Sequence, residues 1–162
     1  MKRILNLKIT NNEKGISLVE VLASIVILTI ILASILNFFP QMGQKNIQNE
    51  NKQSAINLAK IELDKWKTNI ESSSDFNTFL VNPTLHSYSF INSDDTVTYN
   101  SGSKSITIQT KSTNPKFNVV VVISTESDLA STPKKAYQIQ VKIYKGNNIL
   151  VSQTYGYIFY GV

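Results

Sequence analysis

From Ile16 to Phe39 the chain is almost unbrokenly apolar, and no other feature of its 162 residues restricts the fold as much. A helix that crosses a bilayer needs about 20 such residues. Yet a carboxylate, Glu20, sits near the start of the run. An ionisable side chain in a membrane segment costs on the order of 2.5–3.5 kcal/mol on insertion scales and by default marks a functional position. The run exceeds the apolar region of an ordinary secretory signal, roughly 7–15 residues, and no Ala-x-Ala cleavage pattern follows it. A plain signal anchor accounts for the length and the basic flank. It leaves the Lys14-Gly15 boundary and the tolerated Glu20 unexplained.

The boundary reads Lys14-Gly15-Ile16-Ser17-Leu18-Val19-Glu20. A short basic leader, a glycine, then an apolar helix with a glutamate five residues beyond the glycine resembles the N-terminus of type IV prepilins and pseudopilins. The resemblance covers about the first quarter of the chain in detail. It implies that a membrane prepilin peptidase cuts between Gly15 and Ile16 and N-methylates the new terminal amine of Ile16. It also implies that Glu20 pairs with the terminal amine of a neighbouring subunit during assembly. The residue after the cut is usually Phe or Met in that family. Ile16 departs from this, which bears on methylation more than on cleavage, because cleavage rests mostly on the glycine.

Physical chemistry supports the same positions. Gly15 has no Cβ, so a protease can approach the backbone closely and hold it extended. A desolvated carboxylate tends to take up a proton unless a nearby cation neutralises it, and an ammonium beside Glu20 would do so. Snorkelling of Glu20 to the interface of a lone anchor is the alternative, and it runs against the cost of placing glutamate there.

The formal net charge is +5, which invites a nucleic-acid reading. Its distribution argues otherwise. Lys2, Arg3, Lys8 and Lys14 against Glu13 give the leader +3, leaving +2 for everything after Gly15. Basic residues on that flank follow from the positive-inside rule, which keeps the end cytoplasmic. The absence of cysteine excludes a disulfide framework, an iron–sulfur site and a thiolate zinc site.

The spacing predicts one long helix from Ile16 to about Ile70, apolar all round in its first half as a lipid-embedded helix should be. Pro40 and Gly43 fall near the end of that half, where a proline removes a hydrogen bond and kinks the helix. Gln44 to Gln53 is polar nearly throughout. Then Ile56, Ala59, Leu63, Trp66 and Ile70 recur at steps of three and four, one face of an amphipathic helix, with Trp66 its largest anchor. Lys60, Glu62, Asp64, Lys65 and Lys67 take other faces. Such a helix would be roughly 80 Å long, more than one small domain can bury.

Glu71 to Pro83 reads as a loop or short helix. Strands are predicted at Ser87–Ile91, Thr96–Tyr99, Ile106–Thr110, Phe117–Ser124, Tyr137–Ile143 and Ile149 to about Phe159. Asn100-Ser101-Gly102-Ser103 and Lys145-Gly146-Asn147-Asn148 are the turns. The fold class is therefore α+β: a long N-terminal helix packed on a C-terminal antiparallel meander sheet, the architecture that the pilin resemblance also implies. The domain reading is a cleaved leader over 1–15, an apolar transmembrane or filament-core helix over 16–43, and a globular domain over 44–162.

Catalytic constellations are missing. His86 is the single histidine, too few parts for a zinc site or a nucleophilic triad. Asp94-Asp95 offers oxygen atoms to calcium, but adjacent carboxylates point different ways and the EF-hand pattern is absent; a solvated turn is the reading. Gly-rich phosphate loops and Gly-x-Ser-x-Gly are absent. Lys134-Lys135 is too small a basic cluster for DNA. Tyr155, Tyr157, Phe159 and Tyr160 could stack bases or sugars, but Tyr155, Tyr157 and Phe159 read as one face of an edge strand packing on its neighbours. In Phe117 to Ile123, Val120 and Val122 face away from Phe117, Val119, Val121 and Ile123. A sheet covered on one side should be polar there, so a loop or partner is expected to cover them.

The function implied is a structural subunit rather than an enzyme, with no cofactor and no metal. Val19-Glu20-Val21-Leu22-Ala23-Ser24 ahead of a proline-ended run is most similar to minor pilins and pseudopilins, with a major pilin as the variant. Expected partners are other pilin subunits, prepilin peptidase, cytoplasmic-membrane lipid and the assembly platform protein. Nucleic acid is not supported. The expected location is the cytoplasmic membrane before assembly and a surface filament after it. The competing reading is a single-pass surface protein whose sheet domain is an adhesin or DNA-uptake module.

Overall fold

The structure, a computed structural model, describes residues 15–85, 88–129, 134–146 and 148–161. Its first element is α1 (Leu18–Glu71), which contains Pro40 without ending there. A short α2 (Phe76–Val81) follows, then β1 (Thr96–Asn100), β2 (Ser105–Lys111), β3 (Phe117–Ser127), β4 (Lys134–Lys145) and β5 (Ile149–Gly161). The chain divides into two compact units, one ending at Asn46 and one spanning Ile47–Val162.

In the first unit the described residues are all exposed, as are those up to Glu50. Three hydroxyls interrupt the apolar surface, and each bonds back to the helix. Ser24 Oγ donates to the Glu20 carbonyl at 2.8 Å, Ser34 Oγ to the Ile30 carbonyl at 2.8 Å, and Thr29 Oγ1 to the Ile25 carbonyl. In hydrocarbon a polar group must be satisfied internally, and this back-bonding does so.

The second unit is a helix on a five-stranded sheet of order β1-β2-β3-β4-β5, antiparallel throughout. Alternation along the strands builds the inner face. Ile106 and Ile108 of β2, Val119, Val121 and Ile123 of β3, and Ile139, Val141 and Ile143 of β4 are buried at 0–1% exposure. The α1 stripe that completes this core is Ala55, Leu58, Ala59, Glu62, Trp66 and Ile70. Ala59, Trp66 and Ile70 lie on the expected face, but Ile56 and Leu63 are only half-buried. The stripe is rotated toward Ala55 and Leu58, both buried.

That rotation corrects the placing of Glu62, which is 1% exposed rather than on a charged face. Lys65 Nζ reaches its Oε2 at 3.4 Å. A buried carboxylate needs such a partner. On β5, Gly156 marks the close approach: a Cβ there would stand 3.4 Å from Leu63 Cδ2 and 3.6 Å from Lys67 Cδ.

Residues 88–91 are not a strand; they form turns, with the Ile91 N–H donating to the Tyr88 carbonyl at 3.1 Å. Ser87 and His86 lie outside the described residues. Tyr88 and Phe90 alternate with Ser89 because both rings enter an aromatic cluster. Phe79 of α2 meets Tyr88 and Phe90 edge-on, each at 5.1 Å, and Phe76 meets Tyr137 at 5.3 Å and Tyr160 at 5.4 Å. Such edge-to-face pairs add roughly 0.5–1.5 kcal/mol beyond the area they bury.

The turns follow their chemistry. Asn100 Oδ1 accepts from the Gly102 and Ser103 N–H groups at 3.0 and 3.1 Å, a side-chain turn of the kind asparagine favours. Gly146 and Asn148 hold positive φ, 56° and 81°, in the β4–β5 turn, where glycine and asparagine are tolerated best.

On the outer face Val120 and Val122 are half-buried. Val120 stands opposite Gln109 and Lys142, and Val122 opposite Thr107 and Gln140. Directly opposed side chains lie about 4.5–5.5 Å apart at Cβ, which sets Gln109, Lys142 and Gln140 beside the two valines.

Candidate functional site

Gly15, Ile16 and Ser17 lie in non-helical backbone immediately ahead of α1. Ile16 is 74% exposed, and no described residue stands within 4 Å of where a Gly15 Cβ would be. Gly15 and Ile16 are thus exposed among the described residues, and their peptide bond lies outside α1.

Ser17 caps α1. The Glu20 N–H donates to the Ser17 carbonyl at 3.0 Å and to its Oγ at 3.2 Å, and the Val21 N–H donates to the same carbonyl at 3.2 Å. These bonds satisfy donors that a helix start leaves orphaned. Glu20 therefore stands in the first turn, where the positive end of the helix dipole favours a negative charge. Ile16, Glu20 and Ser24 border one shallow surface depression, Ile16 from the non-helical lead-in and Glu20 and Ser24 from successive turns of α1. Ser17 is the site residue that sequence reasoning passes over. Its trace was the Ser-x-x-Glu spacing of Ser17 and Glu20, the pattern of a helix start.

The other sequence candidates do not join this site. Asp94 and Asp95 separate: Lys111 Nζ donates to Asp94 Oδ2 at 2.8 Å, while buried Asp95 accepts from the Asn92 backbone N–H at 2.9 Å and Nδ2 at 3.1 Å. The Lys111 ammonium holds the Asp94 carboxyl below its ordinary range, first by hydrogen bonding and then by charge. No group of three or more His, Asp or Glu with metal-holding geometry occurs among the described residues. Lys134 and Lys135 are exposed at the start of β4.

Tyr155, Tyr157 and Phe159 share the outer face of β5, an edge strand. Their expected packing is only partial. Tyr155 is 68% and Phe159 56% exposed, and Tyr157 alone is half-buried, its ring 6.5 Å from that of Phe159. At the sheet edge each ring has a neighbouring strand on one side only. Tyr160 turns the other way: its hydroxyl donates to the Ser74 carbonyl at 3.1 Å.

Fold and site together define an α+β chain whose N-terminal helix is long and apolar enough to cross a membrane. Comparison with known families adds the particular motif: residues 10–36 match the prokaryotic N-terminal methylation motif, which is the type IV pilin and pseudopilin prepilin cleavage motif. It is a motif of structural pilin-type subunits, not of an enzyme family. No curated protein and no solved structure matches the chain.

Proposed function

We propose that the protein is a minor pilin or pseudopilin, a filament subunit of a type IV pilus, a competence pseudopilus or a secretion-type machine. Prepilin peptidase removes residues 1–15 by cutting between Gly15 and Ile16, and the amine of Ile16 is then N-methylated. Residues 16–43 span the cytoplasmic membrane and afterwards line the filament core, while 44–162 form the globular domain. Glu20 pairs with the terminal amine of a neighbouring subunit. Other pilin subunits and the assembly platform are its partners, and the surface filament its destination.

The observation that carries this reading is the methylation motif over residues 10–36, combined with an exposed Gly15–Ile16 bond one short step ahead of Glu20. Intact-mass measurement on protein from cells that express a prepilin peptidase tests it. The expected product begins at Ile16, and Gly15→Val blocks its formation, since a branched side chain obstructs the approach to the backbone. A mature species that retains Lys14 overturns the reading and favours a single-pass surface protein with an uncut end.

A further inference from the structure

The outer face of the sheet carries a polar cavity of about 580 Å³, between the segment leading into β1 and the β4–β5 turn. Its floor is set by register. Lys111, Asn118 and Tyr144 stand side by side on β2, β3 and β4, and Gln109 and Val120 form the next row. Strands are about 4.8 Å apart, so Lys111 and Tyr144 lie roughly 10 Å from one another with Asn118 between them. Asp94 closes one side and Asn148 the other.

The chemistry of this lining is specific. Among the described residues that line it, Asp94 and Lys111 are the charged ones, and they are bonded to each other at 2.8 Å. A cavity with its charges paired offers little to a phosphate or a free carboxylate, and its single carboxylate is engaged and so poorly placed for a metal ion. Gln109, Asn118 and Asn148 each carry an amide that both donates and accepts. Val120 and the half-buried Tyr144 add apolar surface beside them. Hydroxyls that need donors and acceptors at once, on a ring whose C–H face is apolar, match that combination. The volume falls within the range of about 300–1,000 Å³ usual for small-molecule sites.

We propose that this cavity is a binding site for a neutral saccharide, with a hexopyranose ring laid against Tyr144 and its hydroxyls held by Gln109 and Asn118. The site lies within the unit spanning Ile47–Val162 and is independent of processing at Gly15, so either reading can fail without the other. It gives a filament subunit a contact with glycans, and it differs from the exposed rings of β5.

Amide chemical-shift titration of the full chain tests it. The protein is held in a zwitterionic detergent, because sugar-headed detergents would compete, and glucose, galactose, mannose, N-acetylglucosamine and glucuronate are added separately. At least one neutral sugar is expected to give saturable shifts at Gln109, Asn118 and Tyr144. Tyr144→Ala should weaken that binding by about tenfold or more, a difference of about 1.4 kcal/mol, while Tyr144→Phe retains it and Tyr155→Ala leaves it unchanged. Asn118→Ala, at an exposed position, gives a second weakened variant should Tyr144→Ala disturb the fold. Absence of saturable shifts with every neutral sugar overturns the proposal. So does binding of glucuronate alone, shifts centred on Tyr155, Tyr157 and Phe159, or unchanged affinity in both Tyr144→Ala and Asn118→Ala.

Discussion

Trp66 combines a large apolar gain with a polar loss. It is 2% exposed and among the largest buried side chains, yet its Nε1–H meets no acceptor among the described residues. Leaving a buried donor unpaired costs about 1–3 kcal/mol. Trp66→Ala is therefore expected to destabilise the second unit by about 3–5 kcal/mol through the cavity it leaves. Trp66→Phe should cost clearly less, because it removes the orphaned donor while keeping most of the ring. Since Trp66 is the only tryptophan, urea melts are best followed by circular dichroism. Equal losses in the two variants would mean that the N–H is satisfied in solution.

Glu20 sits at the opposite balance, exposed and in the first turn behind the Ser17 cap. Removing its charge forfeits about 0.3–1 kcal/mol of dipole interaction but relieves a larger membrane cost. Glu20→Leu should therefore insert as well as the parent and leave the sheet intact, while recovery in filaments or pilin complexes drops. Undiminished incorporation would refute the pairing role. The motif over residues 10–36 was legible in the sequence, since a motif is local spacing. Glu62 was not, because helical periodicity finds a stripe but not its rotation by half a step.

At the scale of elements, the five strands β1–β5 were legible from alternation and turn residues, with ends that moved by a few positions. The segment 88–91 was misread for a physical reason. Alternate burial of Tyr88 and Phe90 arises equally from a strand and from a turn that drops two rings into one cluster, and only the distant Phe79 decides which. The cluster has a consequence for alkaline stability. Burial pushes the Tyr88 and Tyr137 phenols up, with the Asp75 charge adding to the effect at Tyr88. The folded form thus keeps protons that the unfolded chain releases near pH 10. Their contribution is complete below pH 10 and disappears as pH rises through the raised folded values. The urea midpoint should fall above about pH 10, and Tyr88→Phe should flatten that fall relative to the parent. Lys104 and Lys111, also raised by their carboxylate partners, titrate in both proteins, so the difference between the two slopes is the readout. Identical slopes would show that Tyr88 ionises freely.

At the scale of the whole molecule, the hydrophobic core begins at Ala55 and draws on α1, α2, the 88–91 turns and strands β2, β3, β4 and β5. No described residue before Asn51 is buried even in part. An isolated helix of that length owes its order in proteins mostly to a packed face, and the face of α1 from Ala55 to Ile70 is packed. Composition announced this much, through the change near Gly43 from apolar all round to apolar on one side. It was silent on Gly156, whose reason is the approach of Leu63 from another element. A chain that starts at Lys45 keeps every core residue and sheds the apolar run of Ile16–Phe39. We expect it to be soluble without detergent, monomeric by analytical ultracentrifugation, and to unfold in one cooperative urea transition, whereas the full chain requires detergent or lipid. A truncated protein that aggregates, or that melts without a transition, would mean that the sheet domain depends on the apolar segment for its fold and that the two parts are one folding unit.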